Sequence, residues 1–195
     1  VGVDPLTDSA PAVFFDRDGV LVDAVVRDGR PFPTDEGTLT LAAGARDAVA
    51  RLAAHFAHLF VVSNQPDVAR GTRRREDVER QSAQLRALLP LTAVYTCMHD
   101  DADGCACRKP LPGLLEAAAR AHDVDLRASY LIGDRWRDVD AGANAGCTTV
   151  LIDRGYDERA PLHAPDAVVG DLAAAADTIL SFEAARRPRE GVHRS

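Results

Sequence analysis

The chain lacks the marks of several common protein classes. No apolar run approaches the roughly 20 residues a membrane helix needs, and no basic-then-apolar leader opens the sequence. A membrane protein or secreted precursor is therefore not expected, and the cytoplasm is the expected location. Positive charge is in deficit: 23 Lys and Arg stand against 30 Asp and Glu, for a net charge of -7. That balance argues against nucleic acid as a partner and provides no long-range attraction for an anion. Phosphate recognition would have to rest on a few local cations. Cysteine is scarce as well. Of four in 195 residues, three fall between positions 97 and 107, a clustering that reads as a metal site and not as a disulfide framework. There is no internal repeat and no linker, so one domain is expected over residues 12–184, with flexible ends at 1–11 and 185–195.

What is present is an alternation of short apolar runs and helix-period segments. Ala12–Phe15 reads as a strand, followed by a Gly- and Pro-rich loop or short hairpin up to Thr40. Ala45, Ala48, Val49, Leu52, Ala53 and Phe56 share one helical face. Leu59–Val62 predicts a second strand and Arg73–Leu89 a helix stopped by Pro90. Ala93–Thr96, Tyr130–Ile132, Thr148–Ile152 and Ala167–Val169 predict further strands. Pro112–His122, Asp138–Ala145 and Leu172–Phe182 predict the intervening helices. Strands alternating with helices imply parallel βαβ units, hence an α/β, Rossmann-like parallel sheet with helices on both faces.

Polar residues gather where the strands stop. Asp16-Arg17-Asp18-Gly19 closes the first, Ser63-Asn64-Gln65 the second and Gly133-Asp134 the fourth. In a parallel sheet those ends open on one edge, where ligands bind. Arg108-Lys109-Pro110 adds a cation just before a helix. Paired carboxylates, a hydroxyl beside an amide, a lysine and a remote aspartate are the parts phosphoryl transfer requires. Three carboxylates can hold Mg²⁺, and lysine and hydroxyl donors suit phosphoryl oxygens. Asp138 either caps its helix or supports the metal.

These four segments resemble, in order, the four motifs of haloacid-dehalogenase-superfamily phosphatases, from about Ala12 to Asp153. The resemblance implies Asp16 as nucleophile, forming an aspartyl-phosphate, and Asp18 as general acid/base. It implies Mg²⁺ on Asp16, the Asp18 main-chain carbonyl and Asp134, with Ser63 and Lys109 holding the phosphoryl group. Retention of Asp18 speaks against a different class of reading, a receiver-like module that is phosphorylated on Asp16 and signals, because a general acid/base speeds loss of the phosphate.

Cys97, His99, Cys105 and Cys107 form C-x-H-x5-C-x-C. Three thiolates and an imidazole make a closed tetrahedral set, which marks structural Zn²⁺. The loop leads straight into Arg108-Lys109. The intervals between motifs leave no room for a cap domain, so specificity falls to loops, among them Arg27–Phe32 and the cysteine loop. Within the superfamily, this loop followed by Cys-Arg-Lys-Pro resembles two groups, the heptose-bisphosphate 7-phosphatases and the histidinol-phosphatases. Val61–Gln65 with Ala69-Arg70-Gly71 resembles the first group, whereas the short loop is closer to the second. Pro66-Asp67 replaces the usual Ser-Gly, and Arg135 stands where Lys is common. The implied substrate is a small phosphorylated sugar, with Asn64, Gln65, Arg108, Arg135 and Arg27 as candidate contacts. Asp100, Asp101 and Asp103 could instead receive an amine. A monomer is expected.

Overall fold

The computed structural model describes residues 9–27, 29–32 and 39–186, without the side chains of Arg27 and of Arg30–Phe32. The expected flexible stretch at 1–8, the tail from 187 onwards and the Arg27 side chain lie outside the described residues. Strand β1 (Ala12–Phe15) is followed by a hairpin of β2 (Val25–Arg27) and β3 (Arg30–Phe32), then α1 (Ala45–Ala53) and β4 (His58–Asn64). Next come α2 (Arg75–Leu88), β5 (Ala93–Cys97) and α3 (Gly113–His122). The chain ends with β6 (Tyr130–Gly133), α4 (Trp136–Ala145), β7 (Thr148–Ile152), β8 (Ala167–Val169) and α5 (Leu172–Arg186).

Six strands form one sheet in the order β5-β4-β1-β6-β7-β8, every pairing parallel. Alternation along β1 explains its wholly apolar sequence. Val13 and Phe15 enter one core with α1 and α5, and Ala12 and Phe14 enter the other with α3. A strand buried on both faces needs no polar side chain. After β1 the chain builds outward through β4 and β5, then crosses to β6 on the other side. Strand β1 is therefore the point where strand order reverses, and the crevice at its carboxyl end is the natural ligand site.

Several elements differ from their expected limits for local reasons. Strand β4 runs on to Ser63 and Asn64 because these pair with Thr96 and Cys97. Helix α2 starts at Arg75, since the amides of Thr72 and Arg73 donate to the Asp67 carbonyl in the preceding turn. Phe56 lies beyond α1 yet is buried. Helix α4 starts at Trp136, two residues before Asp138, because Asp138 caps from within the first turn by accepting from the Arg135 amide at 3.1 Å. Ala10 is bridged to Val124. At the other end α5 reaches Arg186, which donates to the Ala128 carbonyl and lies over the Tyr130 ring. Among the described residues only the hairpin and α1 separate β1 from β4, and no cap domain stands over the crevice.

Candidate active site

Register brings the polar ends together. Phe15 is paired with Val61 on one side and Ile132 on the other, so Asp16 leaves the sheet level with Val62 and Gly133, one residue short of Ser63 and Asp134. Lys109 enters beneath them and is 2% exposed. Its Nζ donates to Asp16 Oδ1 at 2.7 Å, to the Val62 carbonyl at 2.7 Å and to Asp138 Oδ1 at 2.5 Å. An ammonium has three donors, and all three are used. Burial lowers the Lys109 pKa, but Asp138 and Asp16 outweigh it and hold it above the ordinary lysine value. Lys109 is charged here.

The carboxylates outnumber it. Asp16, Asp134 and Asp138 are all buried, and one oxygen from each lies within 4.8 Å of the others. With all three ionised, three carboxylates against one ammonium would leave two negative charges unbalanced, and the cluster answers by favouring protonation. Burial pushes the Asp16 carboxyl up to about 6, with Lys109 pulling the other way. Asp134 is raised by its burial and then by the Asp16 charge. Tyr156 donates to Asp134 Oδ2 at 2.9 Å, while buried Asp134 Oδ1 has no hydrogen-bond partner. Both oxygens of Asp138 are taken, by Lys109 and by the Arg135 amide. So Asp138 both caps its helix and braces the lysine. A divalent cation would cancel the imbalance and fill the open valence of Asp134, and hard oxygen donors suit Mg²⁺. The residues fit the metal.

Glycine at 19 is required by this packing. Its φ is +88°, and a Cβ there would stand 1.8 Å from Asp134 Oδ2. Gly133 is similarly constrained, since a Cβ would come 2.1 Å from that of Asp138.

Asp18 lies at the rim, its side chain 16% exposed. It accepts from Arg17 Nε at 3.0 Å and Arg17 Nη2 at 3.2 Å, and from Gln65 Nε2 at 2.8 Å. Arg17 is itself buried, and its long side chain turns back along Asp18. Gln65 is fully buried and also donates to Ser63 Oγ at 2.9 Å, so it ties the Asp18 carboxylate to the Ser63 hydroxyl. Asn64 turns to the Lys109 backbone, donating to its carbonyl at 3.0 Å and accepting from its amide at 3.1 Å. That two-point clasp fixes the lysine on the end of β4.

The cysteine loop is the other anchor of Lys109. Sγ atoms of Cys97, Cys105 and Cys107 are 3.1–3.6 Å apart, and His99 Nδ1 is 3.3 Å from Cys107 and 3.6 Å from Cys97. A tetrahedron of 2.3 Å Zn–S bonds has edges of about 3.8 Å, so this set needs to open only slightly around zinc. All the cysteines are free thiols. Arg108 is held in the loop, donating to Asp101 at 2.7 Å and the His99 carbonyl at 3.3 Å. Arg135 is paired with Glu158. Arg70 spans both oxygens of Asp100 at 2.7 and 2.8 Å, and Arg137 reaches Asp101. Asp103 accepts from the Asp100 amide at 2.7 Å.

With the site in view, three comparisons bear on it. A HAD-hydrolase-like family model matches residues 106–175. The D-glycero-beta-D-manno-heptose-1,7-bisphosphate 7-phosphatase of Bordetella bronchiseptica is 34% identical over 179 residues, covering 86% of this chain and 97% of that protein. The chain belongs to the HAD-like hydrolases. It is a phosphatase of that family. A heptose-bisphosphate 7-phosphatase of Thermosynechococcus vestitus is 36% identical over 90% of this phosphatase and 98% of that protein. The crystal structure of the Bordetella D,D-heptose 1,7-bisphosphate phosphatase with magnesium and phosphate superposes with a TM-score of 0.71 at 31% identity, covering 88% of this chain and 99% of that one.

Two residues escaped sequence reasoning altogether. Tyr156 and Arg154, in the segment after β7, touch Asp134 and the Gly19 carbonyl. A tyrosine and an arginine in a polar loop carry no spacing signal, and only the folded chain reveals them.

Two outcomes are expected. Lys109→Met leaves Asp16 and Asp138 facing each other uncompensated, so metal-free stability falls by about 3–5 kcal/mol in urea unfolding, and added Mg²⁺ recovers part of it. Unchanged metal-free stability contradicts the charge account. Stripping zinc with a thiol-compatible chelator lowers Tm and frees the Cys97–Cys107 loop to proteolysis. Metal held at a thousandfold its Kd is worth about 4 kcal/mol of stability. A Tm indifferent to zinc contradicts a structural metal.

Proposed function

We propose that this phosphatase removes the 7-phosphate of D-glycero-D-manno-heptose 1,7-bisphosphate, a step suited to nucleotide-activated heptose synthesis. The observation carrying this choice is the state of the acids on the cysteine loop. A histidinol phosphate carries an amine and calls for a carboxylate to meet it. Asp100 is neutralised by Arg70 and Asp101 by Arg108 and Arg137, while Asp103 is spent on the Asp100 amide. The acids of the loop are thus committed to partners beside them and are not free to meet an amine, while the paired arginines are the groups a second substrate anion could recruit by displacing a carboxylate. Relatives named for heptose bisphosphate hydrolysis match over nearly their whole length, in support of the same reading. Arg108 and Arg135 can each exchange a carboxylate for that second phosphate, one anion for another.

Asp16 attacks phosphorus as the nucleophile, which splits hydrolysis into formation and breakdown of an aspartyl-phosphate. Asp16, the Asp18 main-chain carbonyl and Asp134 would hold Mg²⁺, whose charge would relieve repulsion between the attacking carboxylate and the phosphate. As Asp16 becomes an ester-like acyl phosphate it loses its charge, and the Lys109 Nζ–H that faced Asp16 Oδ1 turns to a phosphoryl oxygen. Ser63 Oγ, oriented by Gln65, donates to another. Asp18 protonates the leaving sugar oxygen and then takes a proton from the attacking water. Arg17 and Gln65 keep its carboxylate at the rim between these two tasks. The enzyme acts on this small substrate as a cytoplasmic monomer, without nucleic acid.

Phosphate release from both anomers of the heptose bisphosphate and from histidinol phosphate tests the substrate. A kcat/KM at least tenfold higher for a heptose bisphosphate, about 1.4 kcal/mol of selectivity, is expected. No preference, or preference for histidinol phosphate, overturns the assignment. Asp16→Asn should lose on the order of 10⁴-fold or more in kcat while folding normally.

A further inference from the structure

The segment between β7 and β8 folds back over the site and touches it at successive points. Arg154 donates to the Gly19 carbonyl from Nη2 at 2.9 Å and Nε at 3.2 Å. Two residues on, Tyr156 donates to Asp134 Oδ2 at 2.9 Å. The Asp157 amide then donates to the Gly29 carbonyl of the β2–β3 hairpin at 2.9 Å, and Glu158 pairs with Arg135. These contacts span 135 positions of sequence in the case of Arg154 and Gly19.

The contact at Asp134 has a directional consequence. Its two oxygens are not equivalent. Oδ2 sits against Gly19, where a Cβ would be 1.8 Å away, and beneath the Tyr156 hydroxyl. Oδ1 is buried and without a partner. The Tyr156 hydroxyl occupies one oxygen and restrains the rotation of the carboxylate, which leaves the buried, unpartnered Oδ1 as the oxygen open to a cation. Such outer hydrogen bonds on a ligating carboxylate are typically worth 10–100-fold in metal affinity.

We propose that Tyr156 is a positioning residue for the catalytic cation, selecting Asp134 Oδ1 as the ligand atom, and that Arg154 secures the segment that carries it. This rests on the reading that Asp134 holds a divalent cation. In place of a cap domain, the β7–β8 segment then serves as the brace of the metal site. Free of Tyr156, the Asp134 carboxylate would have to be ordered by the cation itself, and binding would weaken by that cost.

Direct Mg²⁺ titration by calorimetry on the purified full chain, without substrate, separates the possibilities. Wild type is compared with Tyr156→Phe, Arg154→Ala and Asp134→Asn, each first checked by circular dichroism and urea unfolding in EDTA. The expected result is a Kd raised 10–100-fold in Tyr156→Phe and raised in Arg154→Ala. Turnover lost at low Mg²⁺ should return when Mg²⁺ is increased, with the substrate KM unmoved. A Kd equal to wild type in Tyr156→Phe overturns the proposal, as does a loss of turnover that excess Mg²⁺ does not restore. Should Tyr156→Phe fail to fold, a wild-type Kd in Arg154→Ala overturns it equally. If wild type binds no Mg²⁺, or binds it as well after Asp134→Asn, the failure lies with the metal reading beneath it.

Discussion

One buried ammonium organises this molecule. Lys109 stands under the carboxyl ends of β1 and β4 with all three of its donors spent on Asp16, Asp138 and the Val62 carbonyl. A buried charge is tolerated only when fully paired, so the backbone around it must be fixed. Asn64 clasps the Lys109 peptide from β4, and the cysteine loop ends two residues before it. Asp138 braces the ammonium from the first turn of α4. The sheet, the loop and the helix thus meet on one side chain. The same arrangement leaves carboxylate in excess, which is the electrostatic invitation to a divalent cation and, through it, to a phosphate on an otherwise acidic protein.

Much of this was legible in the sequence because strands and their ends have a local signature. An apolar run such as Ala12–Phe15, closed by two aspartates, identifies both a central strand and the edge it opens on. The parallel topology then follows from alternation, and convergence of Asp16, Ser63 and Asp134 follows from topology. The metal-ligand spacing of Cys97 to Cys107 is equally local. What stayed hidden depends on contacts across the fold. The rotation of Arg17 toward Asp18, the clasp of Asn64 on Lys109 and the commitment of Arg108 to Asp101 are side-chain choices that spacing does not dictate. Tyr156 is the extreme case: its partner is 22 positions away, in a loop whose composition is unremarkable.

With no cap among the described residues, the burden of selectivity shifts onto neighbouring segments. In this protein those segments are already braced to one another. The cysteine loop is tied to the turn after β4 through Arg70 and Asp100, and to α4 through Arg137 and Asp101. The β7–β8 segment is tied to the site and to the hairpin. The rim is therefore preorganised, its charged groups held in place by pairing with one another, which lowers the ordering cost of binding. The cysteine–histidine set, which could hold zinc, belongs to this rim, whereas the carboxylate cluster lies at the carboxyl ends of the strands.

The central claim is that the Asp16 carboxylate becomes covalently phosphorylated. Rapid acid quench of the wild-type enzyme in the first turnovers with heptose bisphosphate and Mg²⁺, followed by borohydride reduction and peptide mass spectrometry, tests it directly. The acyl phosphate present during turnover is reduced to the alcohol, so the account predicts homoserine at position 16. Product formed with position 16 unmodified, or a reduced residue elsewhere, would contradict it.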